Sequence, residues 1–261
     1  MDSSATASPG NASPGNPVRN APPDRELVLL THGIASTKWT MVPLAKRLQQ
    51  RGFATQLWGY SSLRRPIEHH GRVLANKLRL LMGSGKWNRI HLAVHSMGSI
   101  VTRCALYELD AQVHIEEHRP EKLGRVVMFG PPNGGSHRAT LLAPFYGWFS
   151  RSLTQLRDTP DSFVNRLPAL PDWAEIGVLA AARDNVIHLD KTHVGGERDH
   201  HVVDSWHTGM LWKQETANLT ANFLMQGRFR PQPAVDLHQE PDTPESQQPC
   251  LLYTSPSPRD S

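Results

Sequence analysis

The strongest constraint on the fold is a regular alternation of short apolar runs with segments of helical periodicity between residues 26 and 225. Short apolar runs are typical of buried strands, and apolar residues three or four positions apart are typical of amphipathic helices. Strands that alternate with helices predict a parallel sheet covered on both faces, with ligand sites at the carboxyl ends of the strands. The predicted strands are 26–30, 53–58, 89–94, 123–129, 175–181 and 200–203, and the predicted helices are 39–50, 67–82, 97–109 and 209–225.

Size and composition narrow the class of protein. The chain has 261 residues, of which 38% are hydrophobic, so it can form one large domain or two small ones. No apolar run approaches the roughly 20 residues of a membrane-spanning helix, so we do not expect an integral membrane protein. The formal net charge is only +4, without a dense run of Lys and Arg, so no nucleic-acid partner is expected. Cys104 and Cys250 are the only cysteines, which rules out a disulfide scaffold.

Both ends of the chain differ in composition from its centre. Residues 1–24 consist mainly of Ser, Ala, Pro, Gly and Asn, without a secretory signal pattern, so we expect a disordered tail and a cytoplasmic location. Residues 230–261 are rich in Pro and Gln and are also expected to be disordered, and their last twelve, CLLYTSPSPRDS, look like a translated sequencing adapter. One folded domain is therefore predicted over residues 25–229.

A serine follows the third predicted strand and precedes the third predicted helix. In the run from Val94 to Gly98, Ser96 occupies the turn, where a helix N-terminus behind it would offer free N–H groups and partial positive charge. Small residues are needed on both sides, and Gly98 meets this requirement, whereas Val94 stands where glycine is usual. This incomplete G-x-S-x-G pattern favours a nucleophile, and the alternative is an ordinary helix N-cap serine.

The first predicted strand ends in His32-Gly33-Ile34, on the same edge of the sheet. A loop at this position is expected to supply a second N–H group for an oxyanion hole. We predict the Ile34 N–H for this role, beside the N–H of Met97. The alternative is that His32-Gly33 is simply a turn.

A serine nucleophile needs a base, and the base needs a group that orients it. His207 follows the last short strand, which would bring it to the carboxyl edge of the sheet. Asp184 follows the fifth strand, and the order Ser96, Asp184, His207 is the one expected for this architecture. Asp190 and Asp204 are the alternatives for the acid.

Seven segments between residues 26 and 225 resemble the α/β-hydrolase superfamily, in particular its small serine lipase/esterase branch. This family has His-Gly at the oxyanion loop, a serine in a G/A-H-S-M/L-G turn, an acid in an Asp-Gly-x-Val-like turn and a late histidine. Two positions depart from the pattern, because Val94 replaces Gly or Ala and Asn185 replaces the Gly that commonly follows the acid. The segments are LVLLTHGI (27–34), WTMVPLAKRLQQRGF (39–53), WGYSS (58–62), HLAVHSMGS (91–99), VVMFGPPNGGS (126–136), IGVLAAARDN (176–185) and VVDSWHTGML (202–211).

The resemblance implies a three-layer fold of about six mostly parallel strands, without the antiparallel strands that often open it. Carried over by matched position, it implies Ser96 as nucleophile, Asp184 as acid and His207 as base. It also implies that the N–H groups of Ile34 and Met97 form the oxyanion hole.

The segment 137–171 interrupts the alternation between the fourth and fifth strands, and an insertion of this length needs its own structure or a function. It falls where the family places a lid, and a lid with an apolar inner face would raise activity at a lipid–water interface. We predict that Phe145 and Trp148, with His32 and His95, line the substrate pocket. The alternative is a small helical subdomain whose aromatic residues fill its own core.

Five histidines lie within residues 188–207, but none form an H-x-x-x-H pair on a helix, so no metal site is expected. No phosphate loop or dinucleotide motif is visible either, so no cofactor is expected. Taken together, the residues predict a serine hydrolase that cleaves carboxylic esters of small molecules or lipids, with transient contact to a lipid interface. The alternatives are an amidase or thioesterase with the same triad, and a non-catalytic relative whose groove binds a ligand.

Overall fold

The computed structural model describes residues 25–116, 120–146 and 150–230, so the two predicted tails lie outside the described residues except for Arg230. Its six strands are all parallel and form one sheet in the order β2-β1-β3-β4-β5-β6. The predicted α/β fold is confirmed. The strands are β1 (Glu26–Thr31), β2 (Ala54–Trp58), β3 (Arg89–His95), β4 (Leu123–Phe129), β5 (Ile176–Ala181) and β6 (Asp199–Val203). The helices are α1 (Val42–Gln49), α2 (Ile67–Gly83), α3 (Met97–Glu116), α4 (His137–Tyr146), α5 (Arg151–Gln155) and α6 (Gln214–Gln226).

The sheet separates two hydrophobic cores. Side chains alternate between the faces of a strand, so Leu27 and Leu29 of β1 join the core beneath α2 and α3. Val28 and Leu30 join the core beneath α1 and α6. Because both faces are covered, the strands read as continuous apolar runs, as expected for a parallel sheet.

Helices α2 and α3 approach each other closely at Gly71. A Cβ atom at this position would lie 2.4 Å from the Cβ of Cys104 in α3, so only glycine permits the contact. Burial raises the pKa of the Cys104 thiol to about 12, so this cysteine packs as a neutral side chain. The contact fixes α2 against the helix that begins beside Ser96.

Three of the four predicted helices differ from the structure by more than one residue at one end. The first helix opens as a 3₁₀ turn over Lys38–Met41, and the α-helix restarts where Pro43, which has no N–H, occupies its first turn. The last helix is divided at Lys213, whose extended backbone separates a 3₁₀ turn from α6. Helix α3 continues to Glu116, because no Gly or Pro interrupts it before Pro120.

The insertion contains α4, α5 and a 3₁₀ turn over Val164–Arg166. Helix α5 is bonded to the start of α2: the Ser152 hydroxyl donates to the carbonyl of Arg65 at 2.7 Å. The Ile67 N–H, at the first turn of α2, donates to the Gln155 side-chain oxygen at 2.8 Å. Within the described ranges, no helix has the length and hydrophobicity required to cross a bilayer.

Candidate active site

Ser96 lies in the sharp turn that joins β3 to α3. Its φ angle of 53° is in the left-handed region, which costs a residue with a side chain roughly 1–3 kcal/mol. Its N–H donates to the Phe129 carbonyl at the end of β4 (2.8 Å), and its carbonyl accepts from the Ser99 N–H (2.9 Å). The adjacent strand and the first turn of α3 therefore hold the serine in the strained conformation typical of a nucleophile elbow.

Two glycines allow the loop after β1, residues 32–36, to approach this turn. A Cβ atom on Gly33 would lie 2.9 Å from the Cβ of Ser96, and one on Gly98 would lie 2.8 Å from the carbonyl oxygen of His32. Side chains at either position would force the loop and the turn apart. Val94, by contrast, packs in the core beneath α2 and α3, so valine at this position leaves both close contacts intact.

Asp184 and His207 form a hydrogen bond after the ends of β5 and β6. His207 Nδ1 donates to Asp184 Oδ2 at 2.6 Å, and the two side chains are only 10% and 3% exposed. The other carboxylate oxygen accepts from the N–H groups of Val186 and Ile187 at 2.8 and 2.9 Å. Burial by itself raises the pKa of Asp184, but these bonds outweigh it and hold the pKa below its usual value. Asp184 is therefore an anion that orients the imidazole ring of His207 through Nδ1.

Gly130 permits this pair to pack against the end of β4. It has a positive φ of 51°, and a Cβ there would lie 2.9 Å from His207 Nδ1 and 3.3 Å from Asp184 Oδ2. Any side chain would strain the backbone and displace the imidazole. Sequence reasoning did not single out Gly130, although its place directly after a strand, in a run of Gly and Pro, is the signal that could have identified it.

His95, which was predicted to line the substrate pocket, contacts His207 instead. The two rings lie 4.8 Å apart between centroids, and His95 Nε2 donates to the main-chain carbonyl of His207 at 3.2 Å. Burial, followed by the charge of His207, lowers the pKa of His95 to about 3, so the ring is neutral near pH 7. The structure thus places this predicted pocket residue where it supports the backbone of His207.

His32 is also enclosed, with 1% of its surface exposed. Its Nδ1 donates to the Gly33 carbonyl at 2.8 Å, and its Nε2 accepts from the Tyr60 N–H at 3.3 Å. The Tyr60 hydroxyl donates to the His32 carbonyl at 2.9 Å, and the two rings are stacked. Burial lowers the pKa of His32, in agreement with this neutral tautomer. Tyr60, which sequence reasoning did not single out, therefore holds the loop after β1 in place.

The N–H groups of Ile34 and Met97 belong to the two segments that adjoin the serine, the loop after β1 and the first turn of α3. Ile34 follows Gly33, which touches Ser96, and Met97 is the first residue of α3. Neither N–H donates to another group in the part of the chain that the structure describes. Unpaired N–H groups at a helix N-terminus and in an adjacent loop are suited to an oxyanion.

The Ser96 hydroxyl makes no hydrogen bond to any of the described residues, including His207. Its chain neighbour His95 packs on the ring of His207, which places serine and imidazole in the same region. Catalytic hydrogen bonds often tighten only when substrate is bound. The structure therefore joins Asp184 and His207 directly, and it connects Ser96 to them through its chain neighbour His95.

The two alternative acids lie elsewhere. Asp204 is 75% exposed and pairs with Arg183 at 3.0 Å. Asp190 is exposed in a 3₁₀ turn. The predicted pocket residues Phe145 and Trp148 fall outside the described side chains, so the acyl-pocket prediction stays a prediction.

Comparisons with known proteins identify the fold. No family model and no curated protein matches the sequence significantly. The mature Bacillus licheniformis lipase BlEst2 superposes with a TM-score of 0.60 at 16% identity, over 82% of this chain and 96% of the lipase. Aspergillus fumigatus lipase B gives a TM-score of 0.63 at 13% identity, over 78% of this chain and 55% of that one. YbtT, a type II thioesterase of the yersiniabactin pathway, gives 0.53 at 15%, over 80% and 96%. The chain has the α/β-hydrolase fold.

The α/β-hydrolase fold explains why residues far apart in sequence meet. Ser96 follows β3, Asp184 follows β5 and His207 follows β6, and parallel strands end at one edge of the sheet. Among the described residues, no group of three or more His, Cys, Asp and Glu side chains could hold a metal ion.

Proposed function

We propose that this α/β-hydrolase is a serine hydrolase that cleaves carboxylic esters, with Ser96 as nucleophile, His207 as base and Asp184 as acid. The observation that carries the proposal is the buried 2.6 Å hydrogen bond between Asp184 and His207. Its imidazole packs against the residue that precedes a strained serine. Backbone strain lowers stability, and a buried ion pair adds little to it, so the presence of both at one edge of the sheet favours a functional role.

The proposed mechanism assigns one step to each of the three residues. Ser96 Oγ attacks the ester carbonyl carbon while its proton passes to His207 Nε2. Asp184 remains ionised and stabilises the imidazolium that forms. His207 then returns the proton to the leaving alcohol, which gives an acyl-enzyme. Water attacks the acyl-enzyme with the same base and releases the acid.

The negative charge on the carbonyl oxygen is stabilised by the N–H groups of Ile34 and Met97. Removal of one such donor from an oxyanion hole typically lowers kcat by about 10²–10³-fold. His32 and Tyr60 act as positioning residues for this loop, because their hydrogen bonds are made within the protein. His95 likewise positions His207 through its carbonyl group.

The non-catalytic alternative rested on Val94 alone. In the structure Val94 is a fully buried core residue, and the close contacts of the turn are made by Gly33 and Gly98. Valine at this position therefore gives no physical reason for an inactive turn.

A fluorophosphonate probe tests the nucleophile directly. Wild-type protein should be labelled, and Ser96→Ala should abolish labelling. Ser99→Ala is the matched control, because it removes a buried hydroxyl three residues away whose hydrogen bond to the Val94 carbonyl is long, at 3.4 Å. Folded wild-type protein that is not labelled would favour a binding protein instead.

The substrate class is tested with matched acyl esters, thioesters and amides of several chain lengths. We expect turnover of esters to exceed that of amides, because an amide carbonyl is more strongly stabilised by resonance and an amine is a poorer leaving group than an alcohol. Faster turnover of thioesters than of matched esters would identify a thioesterase with the same residues. Equal turnover of monomeric and emulsified ester would remove the lid proposal for the insertion.

A further inference from the structure

A surface cavity lies between the end of β2 and the start of α2, outside the candidate active site. It has a volume of about 400 Å³. Its aromatic wall consists of Trp58 and Tyr60, whose rings are stacked 5.2 Å apart, and Tyr60 stacks in turn on His32 at 4.6 Å. We call it the β2 cavity, and the side chains on which the argument depends are Trp58, Tyr60, Arg64, Arg65, His69 and His70.

The β2 cavity is basic and has no acidic residue in its lining. Arg64 and Arg65 are exposed at its mouth, and within the described ranges neither guanidinium forms an ion pair with a carboxylate. The two neighbouring cavities are also rich in arginine, but Glu68 lines both of them. Unpaired guanidinium groups attract anions, and their planar forks suit phosphate and carboxylate oxygens.

His70 supplies a second, independent observation. This residue is only 4% exposed, and its Nε2 atom is buried without a hydrogen-bond partner among the described residues. Its ring lies 4.7 Å from that of Tyr60 and 5.6 Å from that of His69. A buried polar atom without a partner is unfavourable, so a ligand group that formed a hydrogen bond with His70 would stabilise this part of the cavity lining.

The β2 cavity adjoins the loop that carries Ile34. Tyr60 bonds to His32 through both its main-chain N–H and its hydroxyl. The Ala35 N–H, one residue after Ile34, donates to the Ser62 hydroxyl oxygen at 3.1 Å. A ligand in the cavity would therefore contact the segment that holds this loop.

We propose that the β2 cavity binds the phosphate group of a ligand, with Arg64 and Arg65 as its charged contacts and Tyr60 and His70 at its base. Phosphate is favoured over a carboxylate because it offers more oxygens and more negative charge to the two arginines that line the cavity. The cavity is larger than a phosphate ion requires, and Trp58 and Val73 add apolar surface for an attached organic group. Binding at this site does not depend on the role of Ser96.

Isothermal titration calorimetry with inorganic phosphate and with hexyl phosphate tests the proposal, with hexanol as the uncharged control. The variant is the double substitution Arg64→Gln with Arg65→Gln, which should weaken phosphate binding by about tenfold or more. The matched control is Arg72→Gln with Arg151→Gln, which removes the same charge from the lining of a neighbouring cavity and should leave binding unchanged. Thermal melting verifies that both variants are folded.

Two outcomes would overturn the proposal: no saturable phosphate binding by the wild type, or an equal loss of binding in both double variants. Tighter binding of hexyl phosphate than of inorganic phosphate would identify the group as part of a larger amphiphile, and equal binding would identify free phosphate. Ser96→Ala should bind phosphate like the wild type. Phosphate binding can therefore be tested independently of the proposed hydrolase activity.

Discussion

Two histidine–carboxylate pairs of this protein have the same bond length but different surroundings. His207 Nδ1 lies 2.6 Å from Asp184, and His193 Nδ1 lies 2.6 Å from Glu197. The first pair is 10% and 3% exposed, whereas the second is 55% and 13% exposed. The ring of His207 packs on His95 beside the serine turn, while His193 stacks on another histidine near the surface, at 4.0 Å.

The comparison teaches that distance alone does not make a catalytic pair. Exposed pairs are screened by water and contribute about 0–1 kcal/mol, so the half-exposed ring of His193 is only weakly constrained by Glu197. Asp184 is fixed by two N–H groups as well as by the imidazole, so the orientation of His207 is determined from both sides. Only the buried pair can present a nitrogen to a serine in a constant geometry.

The largest difference between the pairs is expected from removal of the histidines. His207→Ala should lower kcat/KM for an ester by about 10⁴-fold or more, because the base is lost. His193→Ala should change it less than about twofold, as expected for a surface residue. Steady-state kinetics with a p-nitrophenyl ester measure both. A similar loss in the two variants would contradict the distinction.

Removal of the carboxylates should have the next largest effect. Asp184→Asn should lower kcat by about 10⁴-fold, since the amide favours the wrong imidazole tautomer. Glu197→Gln should leave kcat nearly unchanged. Asp204→Asn provides a second control in the same assay. A large loss of kcat in this variant would indicate that Asp204, and not Asp184, is the acid.

Glycines with positive φ accompany both pairs and sharpen the comparison. Gly130→Ala adds a Cβ 2.9 Å from His207 Nδ1, whereas Gly195→Ala, at a φ of 66°, adds one with no neighbouring atom within 4 Å. Both variants should lose about 1–3 kcal/mol of unfolding free energy through backbone strain. Only Gly130→Ala should also lower kcat, by about 10²-fold, because a small displacement of a catalytic group has that effect. Urea unfolding and kinetics separate the two effects, and unchanged kcat in Gly130→Ala would argue against the role assigned to this contact.

The smallest effect concerns acid stability. The pKa of Asp184 is lower in the folded protein than in the unfolded chain, so its charge stabilises the fold above the unfolded pKa of about 4. That stabilisation is lost as the pH falls through the folded pKa. The difference in unfolding free energy between wild type and Asp184→Asn should therefore narrow below about pH 4. The more exposed Glu197 should show a weaker effect, and a difference that widens at low pH would contradict the sign.

Most strands could be predicted from the sequence, because a strand buried on both faces is a continuous apolar run. β4 has the predicted bounds, and the bounds of the other five strands differ by one residue. The helix ends were less predictable, because α3 continues through residues of weak periodicity and Pro43 divides the first helix. These boundaries depend on local hydrogen bonds that a periodic pattern does not record.

Much of the candidate site could also be predicted, because chain order and topology place Ser96, Asp184 and His207 after strands of one sheet. The sequence does not distinguish Asp184 from Asp204 in the same way, since both aspartates lie near the ends of strands. Only the structure brings Asp184 within hydrogen-bond distance of His207 and leaves Asp204 exposed. The roles of Tyr60 and Gly130 were not predictable, because their contacts join segments with no local signature.

The sequence by itself determined the parallel sheet and the edge at which reactive side chains collect, because burial pattern and chain order are local properties. Only the tertiary structure decided which carboxylate meets which histidine and which of them is shielded from water. Burial and hydrogen bonding arise from packing between distant segments. The same residue types, His and an acid 2.6 Å apart, therefore form a candidate catalytic pair at one place and a surface ion pair at another.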